Sequence, residues 1–240
     1  MKAKTGCLFF CSWRGKKNRV SRGVCLFQAI ILVLLPAIGR SADAGTPTRY
    51  AIDAANSLVR IYVYRAGPLS FLGHDHVITT TMLDGELNYT PPPSQDAVFK
   101  LNTPVNALVV DDPEQRKSAG GRFSLPVPAK DRAGTRRNML SEKVLDAAQY
   151  SEIAVTGHWL EGSPSHAKVA MTIGLHGVQR HYIVPVDIQM QDGGLVATGM
   201  FHLLQTEFGI TPLSILGGAL KVTDGLDVRF TLAFVPAHGS

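Results

Sequence analysis

After residue 25 this chain contains no cysteine; Cys7, Cys11 and Cys25 are its only three. Everything beyond them is therefore without disulfides, thiolate metal sites or a cysteine nucleophile. A second long apolar run is also missing. The one such stretch, VCLFQAIILVLLPAI from Val24 to Ile38, is interrupted by Gln28 and Pro36. It falls short of the about 20 residues a spanning helix needs. Positive charge is scarce where a nucleic acid would need it. The net charge of +5 arises in the first 44 residues, which hold eight of the 24 Lys and Arg and one of the 19 acids. The remainder is slightly acidic, so no basic surface points to nucleic acid. No internal repeat, long linker or G-x-S-x-G nucleophile motif is present.

What stands at the N-terminus is an export signal. Lys2, Lys4, Arg14, Lys16, Lys17, Arg19 and Arg22 precede the apolar run without an acid among them. Ala42-Asp43-Ala44 then offers small residues where a signal peptidase reads. The order predicts a signal peptide over 1–44, cleavage after Ala44, and an exported domain over 45–240. An uncleaved N-terminal anchor is the alternative. Cys25 comes before the apolar run rather than after it, which argues against a lipoprotein.

The exported part is written mostly with period two. In SLVRIYVYRAG, Val59, Ile61 and Val63 share one face, and Leu58, Arg60, Tyr62 and Tyr64 share the other. HVITTTMLDGELNYT, AVFKLNTPV, EIAVTGHWLEG, HAKVAMTIGLHG, HYIVPVDIQM, LVATGMFHLLQTEFG and LDVRFTLAFV alternate likewise and are separated by turn residues. About eight long strands in one domain predict an all-β closed barrel or sandwich. Phe99, Leu101, Ile173, Leu175, Ile183, Val228, Phe230 and Leu232 join Val59, Ile61 and Val63 as candidates for one interior. From alternation alone that interior is equally a solid core or a ligand-filled lumen.

One segment breaks the rhythm. Asp112 is placed as an N-cap with Pro113 as first helical residue, predicting a short helix over DDPEQRKSAGG. From Asp131, DRAGTRRNMLSEKVLDAAQY is helical in composition, and Ser141 is placed to cap a second piece. The expectation is a helical insertion acting as lid or plug. Its cations Arg132, Arg136, Arg137 and Lys143 form either a solvated face, interleaved with Glu142 and Asp146, or a contact for anionic lipid head groups.

The stretch LSFLGHDHVITT looks most like chemistry. On a strand His74 and His76 share a face and can ligate one metal ion, but a site needs at least one further ligand. His158, His176, His181 and His202, with Asp and Glu side chains, are the candidates, and nothing in the sequence brings them close. Ser70 or Ser214 with His74 and Asp75 can be drawn as a triad, though Asp75 cannot readily orient the ring of its neighbour. Glu207 and Asp224 would make an acid–base pair only if folding joined them. The plainer reading makes GHDH a polar rim where side chains satisfy backbone groups at a strand entrance, with Arg65 as its cation.

The segments YAIDAANSLVRIYV, NMLSEKVLDAAQYSEIAVTG, MTIGLHGVQRHYIVPVDI, TEFGI and VTDGLDVRFTLAF, in that order, resemble the YceI-like family of periplasmic lipocalin-like barrels over Tyr50 to Val235. The resemblance implies an extended eight-stranded antiparallel lipocalin-like barrel with a short helical insertion, whose lumen holds a polyisoprenoid chain. This chain departs from the family pattern at Gln205, where an Arg is usual, at Ser151, where a Pro is usual, and at Gln179, where a Thr is usual. The expected function is that of a periplasmic carrier for a polyisoprenoid or isoprenoid quinone, not an enzyme and without a cofactor. The expected ligand contacts are Val59, Ile61, Val63, Phe71, His74, His76, Phe99, Leu140, Ile173, Phe208 and Phe230. Expected partners are the lipid itself and, in passing, a membrane surface, with homodimerisation open. The competing class is a metal- or haem-associated redox accessory using His74 and His76.

Overall fold

A computed structural model describes residues 46–91 and 96–237; the leader and its cleavage site lie outside the described residues. The chain runs β1 (Thr48–Ala66), β2 (His76–Thr80), β3 (Asp84–Thr90), β4 (Asp96–Pro104) and β5 (Val109–Val110). Two helices come next, α1 (Pro113–Ala119) and α2 (Ala129–Leu140). Then come β6 (Glu152–Ser163), β7 (His166–Leu175), β8 (Val178–Gln191), β9 (Gly194–Leu204), β10 (Ser214–Ile215) and β11 (Leu220–Pro236). Eight antiparallel strands in the order β1, β3, β4, β6, β7, β8, β9, β11 close into a barrel through the β11–β1 pairing. Closure leaves these strands no free edge.

β1 is long because it serves two neighbours in turn. Its first residues pair with β3 and those from Val59 on pair with β2. Between them the register against β11 shifts across Asp53–Leu58. The sequence DAANS builds that bulge: Asp53 accepts from the N–H groups of Ala55 and Asn56 at 3.1 and 3.3 Å. Buried Ser57 donates to the Asp53 carbonyl at 2.7 Å and accepts from the Ala233 N–H of β11 at 2.9 Å. A short polar motif therefore lets one strand change partners without orphaning its backbone.

Asp112 caps α1 as expected, accepting from Glu114 and Gln115 N–H at 3.1 and 3.0 Å ahead of Pro113. α2 starts two residues earlier than Asp131 and ends at Leu140, with Ser141 as its C-cap. From Glu142 to Gln149 the chain forms turns rather than a second helical piece; Ser141 Oγ bonds back to the Asn138 carbonyl at 2.7 Å. The insertion is also not simply a lid. Arg60, on the outward face of β1, donates to Gln115 and Ser118 of α1, both at 3.0 Å. Phe123 packs edge-on against outward-facing Tyr62 and Tyr64, centroids 5.0 and 5.6 Å away. This part of the insertion clamps the outside of the barrel. Only its later portion closes an end, with Val144 joining Phe208 and Ile210 in the main core.

Candidate functional site

Inside the barrel the alternation has a consequence the strands alone do not show. Val59 and Ile61, Phe99 and Leu101, Ile173 and Leu175, and Val228, Phe230 and Leu232 all point inward and pack along the wall without filling the interior. They enclose a cavity of about 200 Å³. A packed interior leaves few voids larger than one water. No lining side chain is charged, and the polar ones, among them Thr80, Asn102, Thr103 and Tyr89, are few. Such a space is apolar, and apolar cavities stay dry until an apolar guest enters.

Two glycines shape its wall. Gly157 faces Phe99 across the β4–β6 ladder and Gly199 faces Phe230 across β9–β11. A Cβ at Gly157 would lie 2.5 Å from the Phe99 ring, and one at Gly199 would lie 2.4 Å from the Phe230 ring. The tips of both phenyl rings thus lie over bare backbone. Trp159, Phe201 and Phe234 complete the aromatic lining. Phe234 continues the inward phase of Phe230 and Leu232, whereas Trp159 and Phe201 lie on β6 and β9, where alternation named no inward residue.

Ile183, expected in the interior, and several of the expected ligand contacts sit elsewhere. Ile183 is 65% exposed while Val184 is 1% exposed. Tyr182, Val184, Val186 and Ile188 are the inward phase of β8, so Ile183 belongs with the outward set. Val63 packs with Ile78, Val105 and Met139 in a satellite core, and Leu140 lies against the same cluster. Phe208 is fully buried against Val144 and Ile210 without lining the cavity. Phe71 is 70% exposed on a 3-10 turn. Gln205, in place of the usual Arg, is buried and donates to the Thr223 carbonyl at 2.8 Å, so it ties a turn to β11.

The GHDH segment forms an ionic seam rather than a lumen mouth. His74 and Asp75 precede β2, and neither histidine lines the cavity. Asp75, 2% exposed, accepts from the Arg65 N–H at 2.9 Å and from Arg122 Nε and Nη2 at 2.5 and 2.8 Å. Arg65 closes the loop by donating to the Gly73 carbonyl. Asp111, at 0% exposure, accepts from Val77 N–H at 2.9 Å and Arg116 Nη1 at 2.5 Å, and its other oxygen lies 2.5 Å from His76 Nδ1. Arg116, itself buried, reaches the Asp75 and Leu125 carbonyls at 2.7 and 2.9 Å. Burial acts to raise the Asp111 carboxyl, but the His76, Val77 and Arg116 hydrogen bonds outweigh it and hold its pKa below the ordinary carboxylate value. Sequence reasoning missed Asp111, whose partners are 34 and 35 residues away on β2. Its backbone is left-handed at φ 54°, a conformation the surrounding bonds enforce.

The remaining candidates are dispersed. His176 is bonded to the Phe208 carbonyl, His181 to Thr172 and His202 to Asp227, at 3.1, 2.8 and 2.9 Å. Among the described residues no three His, Cys, Asp or Glu side chains are arranged to hold a metal ion. Asp224 accepts from Thr206 while Glu207 accepts from the Tyr182 hydroxyl, so these two acids have different partners. Asp75 serves arginines rather than a histidine. Of the insertion's cations, Arg132 and Arg136 are bonded to the Val127 and Asn106 carbonyls.

A family model described as YceI-like domain matches residues 50–234. No curated protein matches the chain in sequence. Among solved structures, BcnA of Burkholderia cenocepacia is similar with a TM-score of 0.55 at 11% identity, over 76% of this chain and 98% of that one. A mutant of the Campylobacter jejuni YceI protein is similar with a TM-score of 0.48 at 8% identity, over 65% of this chain and 82% of that one.

Proposed function

The chain belongs to the YceI-like family, barrels known for binding polyisoprenoids, and we propose that it is a periplasmic carrier holding one slim isoprenoid lipid in its lumen. The observation that carries the reading is the uncharged cavity ringed by Phe99, Trp159, Phe201 and Phe230. An apolar chain threaded there gains about 0.8 kcal/mol per buried CH₂, and no buried charge is left unpaired when it departs. The periplasmic location rests on the leader over 1–44. A polyisoprenoid or an isoprenoid quinone both suit the chemistry of the wall.

The test is an organic extract of the protein recovered from the exported fraction, analysed by mass spectrometry. An isoprenoid lipid in about one-to-one ratio with protein is expected, in keeping with a lumen wide enough for one ligand. Adding that lipid to stripped protein should change Trp159 emission, because this indole lines the cavity. An empty extract together with unchanged Trp159 emission would sink the proposal.

A further inference from the structure

Four large apolar side chains stand in solvent on two touching loops. Phe71 and Leu72 are 70% and 59% exposed on the turn after β1; Ile215 and Leu216 are 47% and 64% exposed in the segment before β11. Single exposed aliphatics such as Met190 on a strand need no explanation, but a group on adjoining loops does. The loops are locked together. Leu69 N–H donates to the Ala219 carbonyl at 2.8 Å, and Gly67 approaches so closely that a Cβ would lie 2.5 Å from the same oxygen. A Cβ on Gly73 would collide with Leu220 at 2.8 Å. Leu216 is presented from a left-handed backbone at φ 53°, a costly conformation for a branched side chain.

Two further properties select the partner. The N–H groups of Ser70, Leu72, Gly73 and Ala219 all donate to carbonyls within these loops. Backbone that enters an apolar phase must satisfy itself in this way. The segments 65–74 and 213–222 contain Arg65, His74 and Lys221 and no carboxylate. Asp75, next to the first segment, is buried under Arg65 and Arg122, and Asp224, two residues past the second, is engaged by the Thr206 N–H and hydroxyl. Apolar tips flanked by cations fit the interface of an anionic bilayer.

We propose that the Phe71 and Leu216 loops are a membrane-docking surface that seats the barrel on anionic phospholipid. The geometry stands by itself; only its purpose, loading or unloading the lumen at a membrane, rests on the carrier reading. The experiment is co-sedimentation of residues 45–240, which contain every strand of the barrel, with phosphatidylcholine vesicles with and without phosphatidylglycerol. Binding is expected to require phosphatidylglycerol, to weaken with salt, and to fall at least about tenfold in Phe71→Ser/Leu216→Ser. Both positions are exposed, so Trp159 emission and lipid uptake in detergent solution should stay as in the parent. Met190→Ser, which removes a comparably exposed side chain elsewhere, should leave vesicle binding unchanged. Absent binding, equal binding by the double variant, or an equal loss in Met190→Ser would overturn the proposal. So would a concentration-dependent dimer that the double variant abolishes without any vesicle binding, which would give the surface to a second copy. A lumen that takes up no lipid while vesicle binding persists would defeat the carrier reading and leave the docking surface standing.

Discussion

The lumen wall and the seam around Asp111 are made of opposite materials and are finished to opposite degrees. The wall has no charge and encloses unfilled space. In the seam, Asp75 and Asp111 meet Arg65, Arg116, Arg122 and His76 in dense contact, and among the described residues no buried side-chain nitrogen or oxygen lacks a partner. The difference separates two meanings of a buried group. The buried carboxylates of Asp75 and Asp111 hold the insertion, β2 and β5 to the barrel and spend their oxygens on these partners. Hydrocarbon that is incompletely packed has surface to offer. A histidine-rich motif therefore marks architecture here, and an ordinary alternation of aliphatics marks the candidate binding region.

The comparison can be broken most forcefully at Asp111. Asp111→Ala leaves Arg116 buried and unpaired, and should lower unfolding free energy by about 3–5 kcal/mol while the lumen still takes up lipid in the folded fraction; denaturant titration and lipid extraction on one sample check both halves. Loss of lipid binding with undiminished stability would erase the distinction between the regions. Titration gives the same region a milder test. Because the folded-state pKa of Asp111 is depressed, its contribution is present above the unfolded value near about 4 and is lost as pH falls through the folded one. Stability should therefore decline with acid below about pH 4, and the decline should be shallower in Asp111→Asn, measured by thermal melts across that window.

The wall answers to volume instead. Gly199→Ala would press the Phe230 ring into the cavity and crowd the Pro185 carbonyl at 2.9 Å. It should cost about 1–3 kcal/mol as overpacking does and reduce lipid occupancy in the extract more than any change in the seam does. The smallest effect sharpens the assignment of faces on β8. Ile183→Ser, on the exposed side, should change stability by less than about 0.5 kcal/mol, and Ile183 should prove dispensable for lipid uptake; a loss of binding there would mean that the strand turns its other phase inward.

Much of this fold is legible in the residue pattern. Period-two alternation locates most barrel strands, and Asp112-Pro113 locates α1; HVITTTMLDGELNYT, which alternates as one strand, is instead broken into β2 and β3, which pair with different parts of β1. The resemblance to YceI-like barrels is confirmed over residues 50–234. Ile183 is misleading because HYIVPV is apolar at consecutive positions, so hydrophobicity alone does not say which phase turns inward. His74 and His76 draw attention through their spacing, but the partner that explains His76 is an aspartate 35 residues away. The YAIDAANS motif is visible as a likeness before its physical cause, the bulge sealed by Asp53 and Ser57, can be seen.

By itself the sequence determined the alternation of faces and the Asp112 cap, because these depend on neighbours within a few residues, and its composition excluded any thiol from the barrel. Whether the inward faces would fill the interior was decided only by the tertiary structure. That depends on the circumference of the closed barrel and on rings such as Phe99 and Phe230 lying over glycines of adjacent strands. The fate of the charges was decided there too, since a carboxylate is a reactive group or a rivet according to which cations folding brings within about 3 Å of it.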